Sequence, residues 1–288
     1  MMLASGFAGL GYQIVWSEQC SLWLGHESAG VLAVLAAFFG GLALGGLILG
    51  ERIERSAQPL RWYAGCELLI AGWSLLLLRL ASPFSGWVLG TIGVAPSATW
   101  HWFVVFAACF CLFLPATAAM GATLPAMERL TAVIRADARS IALLYAANTF
   151  GAVLGVLASA LWLTPALGLA HSAACCAALN LACGALALAL FPKSVSAPPT
   201  IATGTLAAAR PVLLRLAFSG FLGIGYEVLV VRVVSQVTEN TVYTFALLLA
   251  VYLVGTAAGA AAYQRWLVLR PDRERLGDGL FSALAAAC

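Results

Sequence analysis

The chain has 288 residues, 62% of them hydrophobic and 9% charged, with a formal net charge of +3 and a mean hydropathy of +0.97. A soluble domain carries about 25% charged residues, so this composition excludes an ordinary water-soluble globule. The basic residues are spread over connecting segments rather than gathered on one face, which excludes a nucleic-acid-binding surface.

A membrane-crossing helix needs about 20 mainly apolar residues. The first such run lies near 3–24. It lacks a basic n-region and contains Gln13 and Glu18, so it reads as a retained span and not a cleaved leader. The second lies near 29–50, the third near 62–82, the fourth near 101–126, the fifth near 140–163 and the sixth near 171–191. A Pro/Ser/Thr-rich connector follows at 192–211, with Lys193, Pro198 and Pro199. The seventh and eighth spans lie near 212–236 and 241–266. A ninth begins near Gly279 and breaks off at Cys288. The expected fold class is all-α: a polytopic transmembrane helix bundle of about eight spans plus the start of a ninth.

Arginines mark alternate loops. Arg52, Arg55 and Arg61 follow span two, Arg129, Arg135 and Arg139 follow span four, Lys193 and Arg210 follow span six, and Arg265, Arg270, Arg273 and Arg275 follow span eight. Positive residues favour the cytoplasmic side. The N-terminus is therefore expected in the cytoplasm, and the protein in the cytoplasmic membrane.

The run SGFAGLGYQIVW at 5–16 returns as SGFLGIGYEVLV at 219–230, in a register that holds without a gap from Ser5/Ser219 to Gly45/Gly259. This reads as an internal repeat. Six spans separate the copies, so both start on the same side and the repeats are parallel, as between the halves of the major facilitator architecture. The expected organisation is a first six-helix repeat at 1–191, a cytoplasmic linker at 192–211 and the beginning of a second repeat at 212–288.

Small residues four apart (Gly41/Gly45, Gly46/Gly50, Gly151/Gly155, Gly255/Gly259) share a helix face and let another backbone approach closely. Static packing and a sliding contact both use that pattern. Pro115 and Pro125 flank Met120-Gly121 in span four, where they either kink the helix or open a binding site.

Polar groups inside spans are costly and mark candidate sites. Gln13 and Glu18 lie in span one, Glu67 in span three, Asn148 in span five, and Glu227 and Arg232 in span seven. Glu227 and Arg232 are five apart, about 140° around a helix, so they do not pair on one face. The repeat puts Gln13 opposite Glu227 and Glu18 opposite Arg232. That charge swap suggests a Glu18–Arg232 contact between repeats; snorkelling of both groups to water is the alternative. Glu227, with Tyr226, Tyr12 and Trp16, has the carboxylate and ring faces that bind a cation, and Glu67 is a second candidate carboxylate, near the cytoplasmic end of span three with an easy escape to water. Each also has a plain structural explanation as a hydrogen-bonded carboxyl.

His26, His101 and His171 sit at predicted membrane edges and form no cluster. The eight cysteines make no C-x-x-C pair and read as small buried hydrophobes. No metal, cofactor or catalytic residue is indicated by any motif.

SGFAGLGYQIVW, LPATAAMGATLP at 114–125 and RSIALLYAANTFGAVLG at 139–155 resemble the membrane part of spermidine synthase-like membrane proteins, often described as a fused major facilitator and spermidine synthase. The resemblance covers nearly the whole chain. Tyr226-Glu227 and Arg232 fit its first motif, whereas the first copy departs with Gln13 and Glu18. It implies a small amine or other cation as ligand, and a soluble aminopropyltransferase-like domain after residue 288. None of that domain's nucleotide loop or acidic residues is in these residues. Transport, anchoring of such a domain, and a purely structural role as a membrane partner are three competing expectations.

Overall fold

The computed structural model describes residues 1–24, 28–134, 138–190, 206–237 and 242–262, with isolated positions between 279 and 286. His26, most of the 192–211 connector and the arginines of the 263–278 segment lie outside the described residues. Among the described residues every regular element is helical: α1 (Met2–Leu24), α2 (Ser28–Glu54), α3 (Pro59–Ile92), α4 (Ala98–Ile134), α5 (Ala138–Ala158), α6 (Thr164–Leu190), α7 (Leu206–Val237) and α8 (Val242–Ala262). Five stretches are long and apolar enough to cross a membrane: Gly30–Glu54, Pro59–Ile92, Ala98–Thr131, Leu143–Leu190 and Leu213–Val234. A shorter apolar segment spans Tyr243–Gly259. The helix α1 is not among them, since Ser5, Gln13, Ser17, Glu18 and Gln19 dilute its apolar content.

The stretch Leu143–Leu190 is two helices in space. A π-helical turn at Ser159–Leu163 ends α5. Gly168 then adopts φ 77°, ψ 170°, a backbone region that is essentially reserved for glycine. The chain reverses there. Contacts on α1 show the reversal: Leu3 and Phe7 pack on Gly151 and Gly155 in rising order, whereas Met1 and Gly11 meet Cys183 and Cys176 in falling order. Thus α5 runs parallel to α1 and α6 antiparallel.

Two parallel pairs hold the bundle, and glycine makes both. Between α1 and α5, Gly6 lies against the Asn148 carbonyl, Gly151 against that of Leu3, and Gly155 against that of Phe7. Between α2 and α4, Gly45 lies against the Ala118 carbonyl, Gly121 against that of Leu42, and Gly41 against the Thr117 side chain. A Cβ at any of these positions would overlap its neighbour, so the backbone approach requires glycine. Thr117 also donates to the Phe113 carbonyl at 2.9 Å. The helix α3 is tied to α4 by Trp73 Nε1 donating to the Leu112 carbonyl at 2.8 Å. Pro83, Pro115 and Pro125 all lie inside unbroken helices.

The helix α8 packs on this bundle through Phe245, Ala246 and Leu249, which meet Ile14, Leu35 and Val156. Val228 and Val231 of α7 border the same cluster. Most of α7's other apolar side chains are exposed, among them Leu213, Phe218 and Phe221.

Candidate functional site

The polar side chains predicted from sequence fall into two groups. The first lies between α1, α3 and α6. Glu67 is completely enclosed, at 0% exposure. The residues on either side of it in α3 explain the burial: Tyr63, Cys66, Ile70 and Ser74 share its buried face at helical spacing. Asn180 of α6 donates Nδ2–H to Glu67 Oε2 at 2.5 Å. Ser5 and Tyr63 flank the same carboxylate, but the Tyr63 hydroxyl and Glu67 Oε1 are outside hydrogen-bonding geometry. Asn180 Oδ1 is also without a partner. Tyr12 is buried close by, its hydroxyl directed toward Ser74. Trp16 stacks on Tyr12 with ring centroids 5.1 Å apart and on Phe113 at 4.7 Å. Its ring surface is committed to those neighbours.

The second group lies between α7 and α8. Tyr226, Glu227, Val231, Leu248 and Tyr252 line a cavity of about 220 Å³. Glu227 is buried at 6% exposure, and among the described residues neither carboxylate oxygen has a hydrogen-bond partner. Tyr226 and Tyr252 are partly exposed at the cavity wall. The carboxylate is thus held in an apolar pocket faced by two aromatic rings. That arrangement attracts a small cation by charge and by ring quadrupole together.

The structure therefore puts Tyr12, Trp16 and Glu67 in one enclosed cluster, and Tyr226 and Glu227 in a separate pocket. Gln13, the repeat counterpart of Glu227, is buried at 1% exposure with both amide atoms unpartnered. Glu18 is half-buried on α1 and Arg232 exposed on α7. Asn148 is half-buried, with its carbonyl against Gly6. His101 and His171 sit near helix starts, and His171 Nδ1 lies 3.0 Å from the Leu167 carbonyl.

Sequence reasoning did not single out Asn180, Tyr63 or Tyr252. Asn180 could have been found by the criterion that picked Asn148: an amide within an apolar span. Tyr63 lies one turn before Glu67. Tyr252 gave no signal, because only tertiary packing brings it to Glu227. Comparison with known protein families, with curated proteins and with solved structures gives no match for this chain.

Proposed function

We propose that this chain is an integral membrane module that binds a small organic cation, an amine of modest size, in the pocket between α7 and α8. The carrying observation is Glu227: a buried carboxylate with two unpartnered oxygens, beside two tyrosine rings. An unpaired carboxylate in a water-poor site is costly, and a cationic ligand removes that cost. The cavity is smaller than the roughly 300–1,000 Å³ of drug-sized sites, which suits a short amine. The resemblance to spermidine synthase-like membrane proteins points to the same ligand class.

Eight spans in two parallel repeats, with a cytoplasmic N-terminus in the cytoplasmic membrane, complete this reading. It is supported by the alternating helix directions and by the equivalent burial of Gln13 and Glu227. Gly41 and Gly45 pack tightly on α4, whereas their counterparts Gly255 and Gly259 have nothing within 4 Å among the described residues. A duplicated bundle expects a helix equivalent to α4 to cover them. A Glu18–Arg232 contact belongs to the same reading.

Reconstitution into proteoliposomes tests transport. Labelled putrescine should accumulate above empty vesicles, and Glu227→Gln should reduce the rate at least tenfold. Uptake equal to empty vesicles counts against transport. The second reading, an anchor for an aminopropyltransferase-like domain, rests on the resemblance alone; the coding sequence downstream of residue 288 decides it.

A further inference from the structure

The pocket at Glu227 does not account for Glu67. Its carboxylate is the more enclosed of the two, and the side chains that flank it, Asn180, Tyr63 and Ser5, are neutral. Asn180 donates one hydrogen bond to Oε2. Among the described residues, three further oxygens in this cluster have no hydrogen-bond partner: Glu67 Oε1, Asn180 Oδ1 and the Tyr63 hydroxyl. All three residues are at most 1% exposed. Ser5 stands beside them. The positive group within electrostatic range is the amino group of Met1.

Unsatisfied buried oxygens are expensive, and more so when charged. A hydrophobic or aromatic ligand would leave that cost in place. A proton on Glu67 neutralises the charge and lets Oε1 donate one hydrogen bond, but it satisfies only one of the two remaining oxygens, Asn180 Oδ1 and the Tyr63 hydroxyl. A bare cation does both, because every available atom is a hard oxygen acceptor. The charge count sets its valence. Ca²⁺ and Mg²⁺ sites draw on carboxylates, many oxygens or retained water, and a single enclosed carboxylate balances only one positive charge. We infer that Glu67, Asn180 and Tyr63, with Ser5, form a binding site for a monovalent alkali cation between α1, α3 and α6. The site is separate from the pocket at Glu227 and stands whether or not that pocket takes an amine. The bound ion would bridge α3 to α6 and so brace the helix pair that carries it.

The test is thermal unfolding of the full purified chain in detergent, at constant ionic strength. Choline chloride is replaced stepwise by NaCl, KCl or LiCl, with CaCl₂ as a separate arm. A ligand that binds only the folded state raises the midpoint in a saturable way. The expected result is a saturable rise with one of the alkali ions. Glu67→Gln should abolish it, Tyr63→Phe should raise the half-saturating concentration severalfold, and Glu227→Gln should leave it unchanged. Equal midpoints in choline and all three alkali salts overturn the site, as does a rise produced by CaCl₂ alone. A rise that survives in Glu67→Gln also overturns it. If Glu67→Gln does not fold, Tyr63→Phe carries the comparison, and an unchanged half-saturating concentration there overturns the assignment.

Discussion

Asn180 of α6 donates a 2.5 Å hydrogen bond to the enclosed carboxylate of Glu67 on α3. The bond joins two antiparallel helices in the interior of the bundle, where no side chain of opposite charge is at hand among the described residues. Hydrogen bonds to charged groups contribute about 1.5–3 kcal/mol. Asn180→Ala should therefore lower stability by about 2 kcal/mol in choline chloride. The double-mutant cycle with Glu67→Gln should show a coupling of about 1 kcal/mol or more. Strict additivity of the two changes would mean the bond contributes nothing.

Close glycine packing makes a contrasting pair of predictions. A side chain at Gly45 must displace the Ala118 backbone, and overpacking typically costs about 1–3 kcal/mol. Gly45→Val should reduce the folded fraction recovered in detergent and lower the unfolding midpoint. Gly259→Ala meets nothing within 4 Å and replaces glycine with a better helix former, by up to about 1 kcal/mol. It should leave the midpoint unchanged or raise it. Equal losses in both variants would contradict the observed difference in packing.

Gly168 carries the reversal from α5 into α6. Its φ of 77° with ψ of 170° would cost another residue about 1–3 kcal/mol. There is open space around it, so sterics with neighbours do not enter. Gly168→Ala should lower the unfolding midpoint through backbone strain alone. A midpoint identical to the parent chain would show that the turn adopts another conformation.

The alternation of helix directions can be read by labelling. Ser56 follows α2 and Ser97 precedes α4, at opposite ends of the long helix α3. In a background without native cysteines, Ser56→Cys should react with an impermeant thiol reagent only from the cytoplasmic side, and Ser97→Cys only from the other. Reaction of both from one side removes α3 as a membrane crossing.

Much of the helical layout was legible because apolar runs of span length leave few alternatives. The ends were harder. Span three was expected near 62–82, yet α3 runs Pro59–Ile92 and passes through Pro83 without ending there. Pro115 and Pro125, which the sequence allows either to kink the helix or to open a site, lie in a helix that stays continuous. The break that does occur, at Gly168, falls in the gap expected between spans five and six. Burial of Glu227 followed from its depth in an apolar run, whereas Glu67, expected near the end of its span with an easy escape to water, is fully enclosed. Their separation into two sites did not follow, because one sequence position says nothing about which helices will surround it. Asn180 and Tyr252 reach their carboxylates from other helices, and that information lies in the packing.

Equilibrium binding of labelled putrescine to the purified chain tests the central claim most directly. The wild-type chain should bind saturably, and Glu227→Gln should weaken binding at least tenfold while the ligand-free chain unfolds at a midpoint no lower than wild type, because the uncompensated carboxylate is gone. Binding that is absent, or equally tight in Glu227→Gln, would contradict an amine site between α7 and α8.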